Sequence, residues 1–194
     1  MIEYIKLNNL TSYEEAAMNV TEGITGRRSI RQFTDQPVSH ELIEKLVATA
    51  SMSPSWKNTQ VTRYIALEGE AKDALAKCTT CWAKNGDIIN GAPVVIAICA
   101  VAKRSGFEKD GSFSTSKGAS WQMFDTGIAT QSLCLAAYEA GLGTVILGLY
   151  DDNAAEVIGV PEGQELIALV PLGYPAEEPA APRRKEVTDI LTYR

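Results

Sequence analysis

The segment Trp121 to Ala140 has the length of a long helix, yet Asp125 and Glu139 are its only charges. A helix that is apolar nearly all round must be covered nearly all round. In a chain of 194 residues this one is either the central core helix or part of a subunit interface. Gly141 follows as a C′ glycine that ends it. A second constraint comes from Ala92-Pro93-Val94-Val95-Ile96-Ala97-Ile98-Cys99-Ala100-Val101, which is apolar on both faces. That pattern predicts a buried strand, with Pro93 tolerated at its beginning.

The remaining elements follow from spacing and punctuation. Ser12-Tyr13-Glu14-Glu15 is a capping box that predicts a helix from Tyr13 toward Gly26. Ser39 can N-cap a helix in which Leu42, Ile43, Leu46, Val47 and Ala50 share a face. Ser51 to Lys57 reads as a loop, Val61 to Leu67 as a strand, and Gly69 to Trp82 as a helix. Asn90-Gly91 reads as a turn. Lys103 to Ser120, rich in Gly, Ser and Lys, reads as a mobile surface loop that can act as a lid. Val145 to Leu149 is a strand, Asn153 to Ile158 a short helix, and Leu166 to Leu172 the last strand of the body. Gly173 to Pro182 reads as an extended arm. The tail Val187 to Tyr193 is β-prone and is expected to pair away from its own core, on a partner chain.

Composition removes several classes of function. With 45 % apolar and 22 % charged residues, the chain is an ordinary globular one that can bury a sizeable core. Its net charge of -6 argues against a nucleic-acid partner, which needs an extended basic face. No apolar run is long enough to span a membrane, and the start of the chain lacks the pattern of a signal peptide. Cys99 and Cys134 sit in apolar segments as small hydrophobes. Cys78-Thr79-Thr80-Cys81 is a lone C-x-x-C, readable as incidental thiols, a redox pair or a metal half-site. A reducing cytoplasm fits best. The single histidine, His40, lies on the polar start of a helix, so a histidine-dependent triad or a histidine metal cluster has no basis. There is no P-loop. Gly141-Leu142-Gly143 follows a helix and precedes a strand, the reverse of a dinucleotide-binding context.

Against this acidic background six Lys and Arg residues form two tight clusters, Arg27-Arg28-Ser29-Ile30-Arg31 and Arg183-Arg184-Lys185. They are either solvated basic patches or a phosphate site built from both ends of the chain, since a guanidinium forks onto phosphate. The side chains otherwise offer little acid-base or nucleophilic chemistry, so an enzyme of this composition borrows it from a cofactor. Pro54-Ser55-Trp56-Lys57-Asn58-Thr59-Gln60 suits a ring site beside the phosphate. Asn and Gln fit a heterocycle edge, and Pro54 and Trp56 offer flat apolar surface. The same segment also reads as an ordinary loop.

At these residues the chain resembles the FMN-dependent nitroreductases, from about Met18 to the C-terminus. Arg27-Arg28-Ser29-Ile30-Arg31-Gln32-Phe33 is similar to that family's R-R-S-x-R-x-F, with Asp35 and Pro37-Val38 after it. Pro54-Ser55-x-x-Asn58-x-Gln60, Asp125-x-Gly127, Ala140-Gly141-Leu142-Gly143 and Gly173-Tyr174-Pro175 with Arg183-Arg184 follow in the family's order. The resemblance implies an α+β fold, a mixed β-sheet flanked by helices, and a homodimer that exchanges its C-terminal arm. It implies FMN at the dimer interface, with NADH or NADPH as electron donor. Carried over by position, Arg27, Arg28, Ser29 and Arg31 hold phosphate, ribityl chain and pyrimidine edge. Asn58 bonds the ring, and Pro54, Ser55 and Trp56 come from the opposite subunit. Leu147, Gly148 and Leu149 give main-chain contacts near the reactive nitrogen, and Arg183 or Arg184 closes on the phosphate. Val61-Thr62 stands where the family has Pro-Trp, and Ile146-Leu147-Gly148-Leu149 replaces its Pro-x-Glu-Gly. Residues 1–17 fall outside the resemblance and have no assigned role; residues 18–194 form the expected FMN-binding domain. The implied reaction is ping-pong reduction of a small nitroaromatic or quinone-type acceptor. Reductive dehalogenation, an oxidase role, or non-catalytic FMN binding are the rivals.

Overall fold

The computed structural model describes residues 18–194. The expected helix start at Tyr13 lies outside these residues. Helix α1 (Val20–Gly26) is opened by Asn19, whose side chain accepts from the Glu22 amide while the Glu22 carboxylate accepts from the Asn19 amide. This is a reciprocal capping box. Helix α2 (His40–Ser51) begins at Ser39, whose hydroxyl accepts from the Leu42 amide at 3.2 Å. Its Ile43, Leu46 and Ala50 are buried, as the spacing requires.

Among the described residues the sheet has four strands in the order β1-β2-β4-β3: β1 (Thr62–Leu67), β2 (Val94–Val101), β3 (Gly143–Thr144) and β4 (Gln164–Gly173). All pairings between these strands are antiparallel. The expected mixed sheet is thus corrected. The parallel contribution is an isolated bridge from Ser29 to Thr144. The arginine segment is too short there to form a strand of its own.

β2 explains the two cores. Val94, Ile96 and Ile98 face α2 and α5 (Ser120–Glu139), packing with Leu46, Leu133, Ala137 and Val170. Val95, Ala97 and Cys99 face the other side, where they meet Leu75, Ile89 and Leu169. That second layer is built from α3 (Gly69–Ala76), α4 (Ala83–Gly91) and α6 (Ala154–Val157). A strand feeding two cores has no polar face, hence its unbroken apolar run. The expected helix from Gly69 to Trp82 is split. α3 stops at Ala76, a short 3₁₀ turn spans Thr80–Trp82, and α4 follows where the sequence suggested only a turn. Asn85, Gly86 and Ile89 are buried on α4, so packing overrides its weak helix propensity.

Helix α5 is the central helix. Thr126, Ala129, Leu133, Cys134 and Ala137 are buried, while Met123, Phe124 and Tyr138 remain exposed. Gly141 closes it at φ +74, and the Leu142 amide reaches back to the Ala137 carbonyl at 2.8 Å. This is the left-handed stop expected of a C′ glycine. The 145–149 segment is not a continuous strand: regular pairing covers Gly143–Thr144, and Leu147 makes a separate bridge to Leu169.

Beyond β4 the chain runs antiparallel to the arginine segment for a few residues. Thr34 donates to the Tyr174 carbonyl and Ala176 to that of Gln32, both at 2.9 Å. The arm from residue 180 on is exposed. The tail forms one helical turn, α7 (Val187–Ile190), where a strand was expected. With no strand beside it among the described residues, this β-prone segment closes its backbone bonds locally. No helix among the described residues is long and apolar enough to cross a membrane.

Candidate active site

Two assemblies form at opposite ends of α5. The first gathers the arginine loop, Gly143–Leu149 and the start of the arm. The Ile30 amide donates to the Thr144 carbonyl at 3.0 Å, which lays Ser29 and Ile30 along β3. A Cβ on Gly143 would lie 2.6 Å from Ile30 Cγ1, so the close approach requires glycine. Glu177 completes the loop. Its carboxylate accepts from the amides of Arg31 at 2.5 Å and Gln32 at 3.2 Å.

The arginines take different places. Arg28 turns back and donates to the carbonyls of Thr25, Gly26 and Arg27 at 2.6–3.1 Å, capping the end of α1. Helix ends leave carbonyls unpaired, and a guanidinium answers them. Arg27 is half-buried, and its Nε is buried without a hydrogen-bond partner among the described residues. Its charge reaches Cys134, where it opposes the upward shift that burial imposes on that thiol. Arg31 is exposed, and its guanidinium donates to the Ser29 carbonyl at 3.2 Å. Arg183 and Arg184 are exposed on the arm, and neither is brought to the arginine loop by a hydrogen bond or ion pair among the described residues.

Leu147 is tied to the edge of the sheet. Its amide donates to the Leu169 carbonyl and its carbonyl accepts from the Leu169 amide, at 2.8 and 2.9 Å. The sheet therefore uses its amide hydrogen and one acceptor position of its carbonyl. Gly148 and Leu149 are exposed. The Leu149 carbonyl accepts from Asn85 Nδ2 at 2.8 Å. Asn85 is a buried polar side chain that the sequence reading missed, because the helix carrying it was missed. The neighbouring Asp151 accepts from the Thr80 and Cys81 amides, and these bonds hold its pKa below the ordinary value. Cys78 and Cys81 are both shifted up, first by burial and then by contact with Asp151, so neither is a ready thiolate.

The second assembly is the Pro54–Gln60 loop. Lys57, Asn58 and Gln60 have φ of 45°, 55° and 49°. Left-handed backbone costs about 1–2 kcal/mol per non-glycine residue, least for Asn, so something must hold it. Ser55 does part of this locally. Its carbonyl accepts from the Asn58 amide at 3.0 Å and its hydroxyl from the Gln60 amide at 2.9 Å. Asp125, buried on α5, holds the rest: both carboxylate oxygens accept from the Trp56 amide, at 3.0 and 2.9 Å. The Trp56 ring lies 4.5 Å from that of Trp121, and its Nε1 is buried with no partner among the described residues. Pro54 lines an apolar groove of about 380 Å³ shared with Val20, Met52, Leu135 and Glu139.

Nine residues of helix separate Asp125 from Cys134, about 14 Å at 1.5 Å per residue. That is the separation of the Asp125 anchor from the Arg27 end; Pro54 itself reaches back along α5 to Leu135 and Glu139 in the apolar groove.

The chain was compared with known proteins. The family model described as "Nitroreductase family" matches residues 24–85 and 78–174. A Methanothermobacter thermautotrophicus protein provisionally named NADH dehydrogenase/NAD(P)H nitroreductase is 31 % identical over 182 residues, covering 91 % of this chain and 88 % of its own. A Bacillus subtilis FMN reductase [NAD(P)H] is 30 % identical, covering 83 % of this chain and 68 % of its own. A Desulfovibrio desulfuricans protein, provisionally a nitroreductase and solved in complex with FMN, superposes with a TM-score of 0.74 at 26 % identity, covering 92 % of this chain and 98 % of its own. The matched residues take in the arginine loop, the Pro54–Gln60 loop, α5 and Gly143–Leu149, and on this breadth the chain belongs to the nitroreductase family.

Proposed function

We propose that this chain is an FMN-dependent NAD(P)H oxidoreductase that reduces nitroaromatic or quinone-type acceptors and works as a homodimer. The observation that carries the reading is Arg27. A buried guanidinium nitrogen without an acceptor is costly, and a phosphate oxygen would supply one. The donor set fits the group. Arg27 and the Ser29 hydroxyl would hold the phosphate end. Arg28 acts one step back, by fixing the end of α1 from which Arg27 projects. Arg183 or Arg184 would reach the phosphate from the arm.

Bound FMN supplies the redox chemistry, taking a hydride from NADH or NADPH and giving electrons to the acceptor. This chain's residues position and tune. Gly148 offers an exposed main chain, while Leu147 keeps its segment aligned through Leu169. Arg31 would place a fixed cation near the pyrimidine edge, where it stabilises the negative charge of the reduced ring. Asn58, held in its left-handed turn, would present a donor and an acceptor together. Pro54, Ser55 and Trp56 would serve the partner's site.

The dimer is supported by apolar surface. Val20, Ile24, Met52, Met123 and Phe124 are exposed along α1, the end of α2 and α5. Large exposed apolar surface marks an interaction face.

The test separates phosphate from ring. Purified protein should be yellow and release FMN on denaturation. Arg27→Ala should weaken FMN roughly tenfold or more while leaving riboflavin binding nearly unchanged, since riboflavin lacks the phosphate. A parent protein that binds riboflavin as tightly as FMN would overturn the phosphate assignment. A colourless protein that takes up no FMN would overturn the whole reading.

A further inference from the structure

The Pro54–Gln60 loop is anchored to α5 by a carboxylate, and that carboxylate also holds a second loop. Asp125 is 3 % exposed. Besides the Trp56 amide it accepts from the Ser105 hydroxyl at 2.6 Å, with the Thr59 hydroxyl at 3.5 Å as a weaker approach. Ser105 is itself fully buried, at 0 % exposure, and belongs to the long connection between β2 and α5. The two loops touch again at two points. Lys57 Nζ meets Glu108 at 3.1 Å. Trp56 packs on Trp121, whose Nε1 donates to the Thr115 hydroxyl at 2.9 Å.

We propose that Asp125 is a positioning residue that locks the Pro54–Gln60 loop and the 103–120 loop into one unit, so that flavin binding orders both. The inference rests on the flavin reading above. A carboxylate buried only to satisfy its own helix would bond one element. This one bonds two loops that are remote in sequence, and one of them carries three left-handed residues. Local bonds from Ser55 close that turn on itself but do not fix where it sits. Asp125 fixes where it sits. It also sets the neighbouring loop, which then follows any rearrangement of Trp56.

Charge is not what the arrangement needs. An asparagine keeps an oxygen for the Trp56 amide, and its Nδ2 can donate to the Ser105 hydroxyl, which accepts as readily as it donates. Asp125→Asn should therefore rescue what Asp125→Ala loses.

The experiment uses the full-length dimer and reads FMN affinity by titration, and loop order by hydrogen exchange. In the parent, FMN should slow exchange in 54–60 and 103–120 together. Asp125→Ala should weaken FMN roughly tenfold, with Asp125→Asn within about threefold of the parent. At saturating FMN, Asp125→Ala should protect 54–60 without 103–120. Ser105→Ala leaves the Trp56 bonds intact, so it should keep FMN affinity while uncoupling 103–120. It decides the matter if Asp125→Ala does not fold. An Asp125→Ala protein that binds FMN like the parent, a 103–120 loop unmoved by FMN in the parent, or a Ser105→Ala protein with intact joint protection would each overturn the proposal. If the parent binds no FMN, the functional reading fails. The coupling is then judged by ligand-free exchange, which Asp125→Ala should speed in both loops; speeding in only one overturns it.

Discussion

The two ends of α5 are built on different principles. At the C-terminal end, the arginine loop is fixed mostly by main chain, Ile30 to Thr144, Thr34 to Tyr174 and Ala176 to Gln32, with the Glu177 carboxylate as its one side-chain tie to the arm among the described residues. At the N-terminal end, the Pro54–Gln60 loop is fixed to the body by a side chain, Asp125, and by an aromatic stack. Main-chain bonding leaves side chains free to vary, so the arginines of the first loop can specialise without unfolding it. Side-chain bonding puts the second loop at the mercy of one residue. It also lets that loop hold backbone angles that no ladder would impose.

The comparison breaks most sharply at Gly143. An alanine there would set a Cβ within 2.6–2.9 Å of three Ile30 side-chain atoms. Overpacking of this kind costs about 2–3 kcal/mol. Gly143→Ala should lower the unfolding free energy by that amount, bring the denaturation midpoint down with it, and weaken FMN, because the whole arginine loop shifts. A midpoint equal to that of the parent would show that the loop is not seated on β3.

Next in size is Glu177. Removing its carboxylate leaves the Arg31 and Gln32 amides without their acceptor, a loss of about 1 kcal/mol at this half-exposed position. Glu177→Ala should also expose the arm to limited proteolysis, and Glu177→Gln should restore most of both effects. Equal proteolysis of parent and alanine variant would mean that the Thr34 and Ala176 bonds alone hold the arm.

A smaller effect, of opposite sign, belongs to the other end. Gln60 has φ 49°. Glycine there relieves left-handed strain but adds unfolded-state freedom, for a net gain of about 0.5 kcal/mol. Gln60→Gly should raise the thermal midpoint slightly. A lower midpoint would show that the Gln60 side chain, and not the turn geometry, matters.

The smallest is a pH effect away from both assemblies. His40 Nε2 lies 2.8 Å from Glu68, and this hydrogen bond and charge raise its pKa above 6.5. A raised folded pKa adds stability that is fully present below the unfolded value and lost as pH rises through the folded one. Both groups are exposed, so the term is small. Stability of the parent relative to His40→Ala should fall slightly as pH rises through and above 6.5. A difference that is flat across that range would remove the pair from any role.

Much of the architecture was legible because it rests on local spacing. The near absence of charge in Trp121–Ala140 and the double-sided apolar run before Val101 require burial wherever they fold. Gly141 needed only its own φ to stop α5. The arginine and Asn58 motifs carried the family through their order along the chain, which no tertiary contact alters. The weakly helical α4 was not legible, since Asn85 and Gly86 are held helical by packing. The mixed sheet was also misread, because Ser29 contributes one parallel bridge in place of a strand. The tail's β propensity did not give its local structure: Val187–Ile190 form one helical turn.

Within the candidate site the division is finer. The sequence determined which residue types cluster: guanidinium groups at both ends of the chain, a polar loop with Asn58, and two acidic residues, Asp125 and Glu139, on an otherwise uncharged helix. Only the tertiary structure decided which of them turns inward. It placed Arg28 on the end of α1 and left Arg27 Nε buried without a partner among the described residues. It used both Leu147 main-chain groups in the sheet and gave Asp125 two loops to hold. Each of these outcomes depends on groups far apart in sequence meeting at hydrogen-bond distance, and spacing along a chain carries no information about such meetings.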